Sequence, residues 1–547
     1  MSGQDIFHIT IRQNFYRDSL QLLKISDSIR RVSREILEAS IIMATPTNKE
    51  ILIRLGFRPS SVGEAQESDI IIAIRARDQK SVDLAVAEAD RLLESPAGAS
   101  KQDESKVDDL ESALRSMPDA NLALLSIPGD HVREVSLKLI DLGINQQIFS
   151  DHVPVEDELE IKTLAAEMGV LILGPGAGTS IMNGKGIGFS NAVRTGPVGI
   201  VAAAGTGLQE VATLLDHCGI GVKHGLGVGG NDPKDKIGGI MMMQCIKMLE
   251  SNPDVGIIGI VSKPPSPSVQ EKIVSYLTRS AGKKYVLAFI GGAGGDQKNG
   301  GRIVQVNTLA SAVLAIAKQL GRRQFEMAIA ATYVPPKDLM PSLEDEWRRL
   351  GPGQKRVRAL YTGGTFTYEA EVILGSILAD EPIYSNSPIL NIKQLDDSFK
   401  SQDTSIVDLG EEEFTEGRPH PMIDPTVRKF RIAEEASDPS VAVLLMDFVL
   451  GYGSHPDPVG AVINEIDDAK RMAGKAGRHL CVVAHVCGTS DDLQGYSQSI
   501  DKLKGVGCVV LPTNALAAVA SAAVARRGKV DIDGIYAQYL TAGEAIE

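Results

Sequence analysis

The feature that most constrains the fold is a segment that occurs twice along the chain. The sequence VGIVAAAGTGLQEVATLL at 198–215 has a counterpart in VRALYTGGTFTYEAEVIL at 357–374. Each copy predicts a strand, a glycine turn and a helix, because an apolar run ends in glycine and a helical pattern follows. Two more apolar strands follow in the same order, at 252–261 and 285–292 in the first copy and at 438–447 and 481–488 in the second. An ordered repeat of this kind indicates a duplicated domain.

The duplication divides the chain into domains, and the fold class that we predict is α/β. We interpret the copies as two flavodoxin-like domains, and the growing distance between matched segments places an insert in the second copy. Before them, strands and helices alternate, which predicts a parallel sheet with right-handed crossovers in a Rossmann-like domain. The predicted ranges are 1–95 for a small N-terminal α/β unit, 96–117 for a linker, 118–194 for the Rossmann-like domain, 195–325 for the first copy, 326–355 for a second linker, 356–530 for the second copy with its insert at 380–436, and 531–547 for a C-terminal tail.

Composition excludes several classes of function. Charged residues make up 23 % and hydrophobic residues 43 % of the chain, which is typical of globular proteins. The formal net charge of −14 argues against a nucleic-acid-binding surface. The five cysteines form no C-x-x-C pair, so we expect buried reduced thiols. No apolar stretch reaches about 18 residues and the N-terminus lacks the apolar core of a signal peptide, so we expect no membrane contact and a cytoplasmic location.

The two glycine turns are the candidate phosphate sites. Each follows a predicted strand and begins a helix, where the first backbone N–H groups have no partner within the helix and the helix dipole is positive. Neither turn continues as G-K-[ST], so nucleotide binding by a P-loop is not expected. The alternative is that the glycines only allow tight packing of strand and helix. The candidate residues are Gly205, Thr206 and Gly207 in the first turn and Gly363, Gly364, Thr365 and Thr367 in the second.

Three further segments carry candidate residues, each with a structural alternative. Asn231 in KHGLGVGGNDP follows a predicted strand and could contact phosphate, or could lie in a plain connecting turn. Lys263 follows an apolar strand at the edge where ligands bind to parallel sheets, although a solvated lysine is the alternative. In GRPHPMIDPTVR, prolines flank His420 and restrict the backbone near Arg418. Arg418 suits recognition of a carboxylate or phosphate and His420 suits proton transfer, whereas a surface loop is the alternative.

The remaining motifs exclude other sites. His485 lies inside the apolar strand VVAHVCG, so we expect a hydrogen-bonded core histidine. No spacing of His, Cys and carboxylate residues predicts a metal centre. No G-x-S-x-G or Cys/His arrangement predicts a hydrolase. A third glycine turn, GPGAGTSI at 174–181, follows a strand of the Rossmann-like domain.

These motifs resemble a known family. The order of GPGAGTSI, GPVGIVAAAGTGLQE, GVGGNDP and DVGIIGIV is similar to that in the succinyl-CoA synthetase alpha subunit. With YTGGTFTYEAE and GRPHPMIDPT, nearly the whole chain resembles the FdrA family, whose members are described as acyl-CoA synthetases or as relatives of an oxamate carbamoyltransferase subunit. The resemblance implies that 118–194 is a CoA-binding-type domain. It also implies a cofactor site at Gly174, Pro175, Gly176 and Gly178, so CoA is a possible cofactor.

The chain departs from the ligase family in its phosphate-carrying loop. That family carries phosphate on a histidine in the loop after the strand that corresponds to YVLAFIGG, but the loop here, GGAGGDQKNGG at 291–301, contains none. The corresponding loop of the second copy, GTSDDLQGYSQS, contains none either. The family's glutamate after GIIGIV is replaced by Ser262 and Lys263. We also find no region that resembles an ATP-grasp domain.

Three functions follow from the resemblance and these departures. The first is a subunit that binds an acyl phosphate and transfers a carbamoyl group from carbamoyl phosphate to a small carboxylate such as oxamate, together with partner subunits. In that reading the helix starts hold phosphate, Lys263 neutralises charge, and Arg418 and His420 orient the acceptor or assist proton transfer. The alternatives are a CoA ligase whose nucleotide comes from a partner subunit, and a non-catalytic scaffold subunit. All three predict a hetero-oligomer.

Overall fold

The computed structural model describes residues 5–15, 17–94, 109–280, 282–292, 297–298, 300–389 and 391–541. These residues divide into two compact units. The first unit comprises 1–116 and 409–431, and the second comprises 117–408 and 432–547. The α/β class predicted from the sequence is confirmed, because both units are built from β-sheets covered by helices.

The N-terminal part of the first unit is a small antiparallel sheet with helices. Its elements are β1 Ile6–Arg12, α1 Ser19–Arg30, β2 Ile36–Met43, α2 Pro46–Arg54, α3 Pro59–Val62, β3 Ile70–Ala76, α4 Gln79–Glu94 and α5 Leu110–Ser116. The strand order is β1-β3-β2, and both neighbours of β3 are antiparallel to it. The continuous apolar run IIIAI of β3 is buried on both faces, as expected for a central strand. The α/β character predicted for 1–95 is confirmed by these strands and helices.

A short segment from the second copy's predicted insert also belongs to this first unit. Residues 409–431 contact α2, where Thr47 Oγ1 donates to the backbone oxygen of Glu413 at 3.2 Å and Asn48 Nδ2 donates to that of Gly417 at 3.1 Å. We expected this segment to belong to the second copy, because it lies inside that copy in the sequence. Hydrogen bonds to residues more than 360 positions away cannot be predicted from neighbouring residues.

The second unit begins with a three-stranded parallel sheet in the order β4-β5-β6. Its elements are β4 Leu122–Leu125, α6 Gly129–Asp141, β5 Asn145–Ile148, α7 Val155–Met168 and β6 Ile172–Leu173. This alternation agrees with the Rossmann-like pattern. The hairpin that follows, β7 Thr179–Met182 and β8 Lys185–Gly188, instead joins the sheet of the first copy, where Ile181 pairs with Gly225.

The two copies share one strand order, which confirms the duplication. The first copy contains β9 Val198–Ala202, α8 Gly205–His217, β10 Val222–Gly227, α9 Ile240–Ser251, β11 Ile257–Ser262, α10 Pro267–Arg279, β12 Lys284–Phe289, β13 Gln297–Lys298, β14 Ile303–Val306 and α11 Leu309–Leu320. Its eight-stranded sheet has the order β13-β14-β12-β11-β9-β10-β7-β8. Strands β9, β10, β11, β12 and β14 are parallel to one another.

Two helices connect the copies where we expected a linker at 326–355. They are α12 Arg322–Thr332 and α13 Pro336–Arg348. Leu339 and Leu343 of α13 are fully buried, one turn apart on the same face. The segment thus packs as an amphipathic helix. We did not predict this helix from the sequence, although its apolar residues recur at the helical spacing.

The second copy forms a seven-stranded parallel sheet. Along this part of the chain the elements are β15 Arg356–Tyr361, α14 Gly364–Ile377, β16 Ile383–Ser385, β17 Lys393–Gln394, β18 Thr404–Asp408, α15 Glu412–Thr415, α16 Thr426–Ser437, β19 Val441–Val449, α17 Ile463–Lys475, β20 Cys481–Cys487, α18 Tyr496–Gly505, β21 Val509–Leu511 and α19 Asn514–Ala525, followed by α20 Ile532–Tyr539 in the predicted tail. Of these, α15 and the start of α16 lie within 409–431 and belong to the first unit. The order β18-β15-β19-β20-β21 matches β10-β9-β11-β12-β14 of the first copy. The exact domain boundaries stay predictions.

Candidate functional site

The helices α8 and α14 begin at equivalent positions of the two copies. Each follows a strand whose last five residues are buried, and the preceding residues Ala204 and Gly363 provide no side-chain cap. Gly205 and Gly364 are partly exposed, whereas the next turn of each helix is buried. The first N–H groups of both helices therefore lie at an accessible surface with the positive ends of two helix dipoles.

The two helix starts are in direct contact with each other. A Cβ atom on Gly363 would overlap the Cγ2 methyl of Thr206, and a Cβ on Gly207 would lie 2.9 Å from the Cγ2 methyl of Thr365. Each threonine thus fills the space of an absent side chain in the other copy. The predicted residues Gly205, Thr206 and Gly207 are thereby brought together with Gly363, Gly364 and Thr365, and we call this region the paired helix starts.

One hydroxyl in the paired helix starts has no internal partner. Thr365 is 3 % exposed, and its Oγ1 accepts or donates no hydrogen bond among the described residues. The hydroxyl of Thr367 is used within the helix, since it donates to the Gly363 carbonyl at 3.2 Å. A buried hydroxyl without a partner costs about 1–3 kcal/mol, so the Thr365 position is one that a ligand oxygen would improve.

Lys263 lies next to the second helix start although it belongs to the first copy. It follows β11, and its Nζ is 3.3 Å from the centroid of the Tyr368 ring on α14. Tyr368 in turn packs against Gly364, with a ring carbon 3.4 Å from the position of a Cβ there. Tyr368 is not among the residues predicted from the sequence, although its position four residues after Gly364 places it one turn further on the same face.

Acidic side chains also lie at the base of the second helix start. Asp408 Oδ2 is 3.3 Å from the position of a Cβ on Gly364. Asp447 accepts hydrogen bonds from the Thr362 N–H at 3.0 Å and from its hydroxyl at 2.6 Å. Negative carboxylates and the positive Lys263 therefore both lie around the start of α14. The backbone N–H groups and the lysine are the groups that would attract an anion bound there.

The backbone N–H groups of the predicted cofactor turn donate to carbonyl groups of the protein. The N–H of Gly174 donates to the Gly227 carbonyl at 3.1 Å, and that of Gly176 donates to the Ser150 carbonyl at 3.1 Å. The N–H of Gly178 donates to the Gly176 carbonyl at 3.2 Å, while Pro175 has none. A Cβ on Gly174 would meet protein backbone rather than open space. These residues therefore do not fit a phosphate of CoA.

Asn231 is engaged away from the paired helix starts. Its Nδ2 donates to Glu158 of α7 at 3.0 Å, and its Oδ1 accepts from Lys234 at 2.8 Å. The neighbouring Asp232 is fully buried, accepts from Lys162 at 3.0 Å and accepts from the first N–H groups of α9. Asn231 thus has local structural contacts, and a role toward phosphate stays a prediction.

Arg418 and His420 belong to the first compact unit, whereas Lys263 and the paired helix starts belong to the second. Arg418 is buried and its guanidinium donates to Asp424 Oδ2 at 2.6 Å. Burial alone would raise the pKa of Asp424, but the charge of Arg418 and the hydrogen bonds from Thr426 outweigh it and lower the pKa. His420 is half-buried and its Nδ1 accepts from the Met422 N–H at 3.3 Å. Their catalytic roles stay predictions.

His485 is a hydrogen-bonded core histidine, as the sequence predicts. It is 1 % exposed, its Nε2 donates to Glu210 Oε2 at 2.8 Å, and its Nδ1 lies 3.2 Å from the Leu511 carbonyl. Burial alone would lower its pKa, but the charge of Glu210 raises the pKa above the ordinary value. All five cysteines are buried and free, which also agrees with the prediction.

Comparison with known proteins identifies the family. The Escherichia coli K12 protein YahF is 36 % identical over 505 residues, which cover 92 % of this chain and 95 % of YahF. The chain belongs to the FdrA family of succinyl-CoA synthetase alpha-like proteins. A CoA-ligase family model matches residues 360–524 of this FdrA-family chain, and a CoA binding domain model matches 193–292. The second model matches the first copy as far as residue 292, whereas the resemblance placed a CoA-binding-type domain at 118–194.

More distant relatives are subunits of CoA ligases. The alpha subunit of succinate–CoA ligase (ADP-forming) from Methanothermobacter thermautotrophicus is 28 % identical over 32 % of this chain and 58 % of that subunit. The sulfoacetate–CoA ligase subunit SauD from Bilophila wadsworthia is 23 % identical over 36 % of this chain and 68 % of SauD. The FdrA-family chain thus spans just over half the length of the succinate–CoA ligase subunit. The solved structure of ATP citrate lyase from Methanothrix soehngenii matches this chain at 17 % identity with a TM-score of 0.30. The match covers 40 % of this chain and 39 % of the lyase chain.

The N-terminal unit of the FdrA-family chain matches a model described as AllF, heavy metal-associated domain, over residues 2–109. Heavy-metal selection relies on soft thiolate ligands, yet every cysteine of the chain lies at position 218 or beyond. Within the described residues, no three His, Cys, Asp or Glu side chains are grouped so as to hold a metal ion. The described residues of this unit thus present neither a thiolate nor a three-residue His, Cys, Asp or Glu group for a heavy metal. No helix in the described ranges is both long and apolar enough to cross a bilayer.

Proposed function

We propose that this FdrA-family chain is a subunit of a CoA-ligase-type enzyme that binds an acyl phosphate, with its phosphoryl group at the paired helix starts. The observation that carries the proposal is the contact between two uncapped helix starts around the buried, unpartnered hydroxyl of Thr365. Backbone N–H groups of Gly205 and Gly364 and the ammonium of Lys263 supply the positive potential for a phosphate.

Acyl phosphates are already activated, so the protein needs only to position the substrate and to stabilise the leaving phosphate. The acceptor's nucleophile attacks the carbonyl carbon, the bond between that carbon and the phosphate oxygen breaks, and phosphate leaves with the electron pair. The chain's task is to orient the phosphoryl group and to stabilise the charge that develops on its oxygen. We assign orientation to the helix starts and charge stabilisation to Lys263, which Tyr368 holds against α14.

The CoA-ligase relatives support a CoA thiol as the acceptor and a partner subunit as the source of nucleotide. The relatives include subunits of succinate–CoA ligase and of sulfoacetate–CoA ligase. We therefore propose a hetero-oligomer in which the partner forms the acyl phosphate and this chain takes part in the transfer.

A second candidate is carbamoyl transfer from carbamoyl phosphate to a small carboxylate such as oxamate. It is favoured by the engaged backbone donors of the Gly174 turn and by the absence of histidine from 291–301 in the sequence. Carbamoyl phosphate is already activated, so this reaction needs neither nucleotide nor phosphohistidine.

The experiment is an assay of phosphate release by the chain co-purified with its partners. Acetyl, succinyl and carbamoyl phosphate are each tested with no acceptor, with CoA and with oxamate. CoA-dependent release supports the ligase-type transfer, and oxamate-dependent release from carbamoyl phosphate supports the second candidate. Release that is unaffected by Thr365→Val, with Thr365→Ser as the matched control, would remove the paired helix starts from the mechanism.

A further inference from the structure

The first compact unit has a strand whose outer edge is left uncovered by the described residues. Strand β1 is an edge strand of the N-terminal sheet, because it pairs only with β3. Every residue of β1 is half-buried or exposed, whereas all but one of the residues of β3 are buried. This edge plays no part in the proposed function, which concerns the second unit.

The other edge strand, β2, has outer backbone groups that are satisfied by α1. The Ile41 N–H donates to Ser26 Oγ at 2.8 Å, and the Ala39 carbonyl accepts from Arg30 Nε at 3.1 Å. The backbone groups of Ala39 and Ile41 therefore point away from β3. Because the direction alternates along a strand, the N–H and C=O of Ser40 point toward β3.

This alternation fixes which groups of β1 point outward. Ser40 lies opposite Ala73 of the central strand β3, so the backbone groups of Ala73 point toward β2. Ala73 also lies opposite Ile9 of β1, so these two residues form a pair without hydrogen bonds. The N–H and C=O of Ile9 consequently point outward, together with those of Phe7 and Ile11 two residues away on either side.

The outward backbone groups of Phe7, Ile9 and Ile11 have no hydrogen-bond partner among the described residues. Ile9 and Ile11 pack against the apolar cluster that contains Phe57. Phe7 lies on the same face, is 43 % exposed, and packs edge-to-face on Phe57 with ring centroids 5.2 Å apart. Proteins commonly protect an edge strand with lysine, proline or a bulge, and β1 has none of these. Such an edge is suited to pairing with another strand.

We propose that β1 pairs antiparallel with β1 of a second copy of this chain, so that the two N-terminal sheets become one continuous sheet. In the register that places Ile9 opposite its own counterpart, Phe7 lies opposite Ile11 of the second copy. The outward N–H and C=O groups of these three residues are then all paired on both strands. A single two-fold axis relates the strands, as in most homodimers.

The sequence of β1 is self-complementary in this register, which favours a second copy as the occupant. On the apolar face, Ile9 meets Ile9 and Phe7 meets Ile11, and such aromatic and β-branched pairs stabilise antiparallel strands. Arg12 is the only Lys, Arg, Asp or Glu residue of the strand, and it lies opposite Ile6 of the second copy. The two arginines are thus at opposite ends, whereas a parallel pairing in register would bring them together.

The oligomeric state of the full chain tests the proposal. Sedimentation velocity of the chain without partner subunits, over a series of concentrations, is expected to show a reversible dimer. Phe7→Lys places a charge on the edge and should abolish the dimer at concentrations where the wild-type chain is dimeric. Leu84→Lys, at a leucine of α4 that is 45 % exposed, is the matched control and should stay dimeric. A monomeric wild-type chain, or a dimer that survives Phe7→Lys, would overturn the proposal.

Cysteine cross-linking tests the register and does not depend on the folding of Phe7→Lys. Ile9→Cys puts two thiols beside the two-fold axis, where the Cα atoms of a hydrogen-bonded pair are about 5.5 Å apart and within reach of a disulfide. Oxidation should therefore give a covalent dimer on a non-reducing gel. The five native cysteines are buried, so the wild-type chain should give none.

Thr10→Cys is the matched control for the cross-link. Thr10 lies opposite His8 of the second copy, so two cysteines at position 10 are too far apart for a disulfide in the proposed register. This variant should run as a monomer on the same gel. Cross-linking of Thr10→Cys in place of Ile9→Cys, or no cross-linking of Ile9→Cys, would contradict the proposed pairing.

Discussion

Glu210 and Glu369 occupy equivalent positions of the two copies, and each carboxylate accepts a hydrogen bond from the first N–H group of a helix in the opposite copy. The Leu309 N–H of α11 donates to Glu369 Oε1 at 2.7 Å, and the Asn514 N–H of α19 donates to Glu210 Oε1 at 3.3 Å. Both carboxylates lie five residues after the first glycine of their helix, Gly205 or Gly364. The duplicated domains are thereby joined by a reciprocal pair of helix N-terminal contacts, which tie α11 to α14 and α19 to α8.

The first prediction concerns this reciprocal contact. Glu369→Ala removes the acceptor for the Leu309 N–H and leaves the Asn514 amide, which donates to Glu369 at 2.9 Å, without that partner. We expect a decrease of about 1–3 kcal/mol in the free energy of unfolding, measured by urea denaturation. Glu369→Gln, which keeps one acceptor oxygen, should lose less. Equal losses for the two variants would show that the acceptor is unimportant.

The second prediction concerns the contact of the paired helix starts. Gly363→Ala introduces a Cβ into the position that Thr206 fills, so we expect a loss of about 1–3 kcal/mol in stability from overpacking. Thr206→Ala removes the overlapping methyl and should rescue the glycine variant in the double mutant. A double-mutant cycle measures the coupling, and simple additivity of the two changes would be inconsistent with the contact.

The third prediction concerns Lys263. Lys263→Met removes the charge while keeping much of the stem against Tyr368. We expect KM for acyl phosphates to rise several-fold and to depend less on salt, because the lysine is exposed and its charge is screened. Steady-state phosphate release at several ionic strengths checks this. Lys247→Met, at a lysine over Tyr276, is the matched control and should leave KM unchanged.

The fourth prediction concerns the buried pair of Arg418 and Asp424. Both side chains are less than a tenth exposed, so removing one partner leaves a buried charge. Arg418→Ala should destabilise the first unit by about 3–5 kcal/mol, seen as faster cleavage of that unit in limited proteolysis. If Arg418 serves only in catalysis, the variant will instead lose turnover and keep wild-type resistance to protease.

The fifth prediction concerns pH. The pKa of Glu371 in the folded chain, about 8, is above its ordinary value of 4.5. Between these values the unfolded chain loses the proton more readily than the folded chain, so the contribution of Glu371 to stability decreases as pH rises. Glu371→Gln should flatten the fall in unfolding free energy between about pH 4.5 and 8 in urea denaturation. Glu64→Gln, at an exposed site, should leave the slope unchanged.

The strands, the helices and the duplication were predictable from the sequence because they depend on local patterns. The apolar run at 285–292 predicts β12, and the matched turns at Gly205 and Gly364 predict α8 and α14. The candidate site was predictable only in part. Thr365 was found through its turn, but its unpartnered hydroxyl and the nearby Tyr368 and Asp408 depend on contacts between the copies.

The sequence by itself therefore determined the α/β class, the repeat and the positions of the glycine turns, because hydrophobic periodicity and glycine's freedom act over a few residues. Tertiary structure alone decided that 409–431 packs with the N-terminal unit and that Glu371 lines a cavity. It also decided that the backbone N–H groups of the Gly174 turn donate to carbonyl groups of the protein. The reason is physical: burial, hydrogen-bond partners and shifted pKa values are set by residues far apart in the chain, and only folding brings them within a few ångströms of one another.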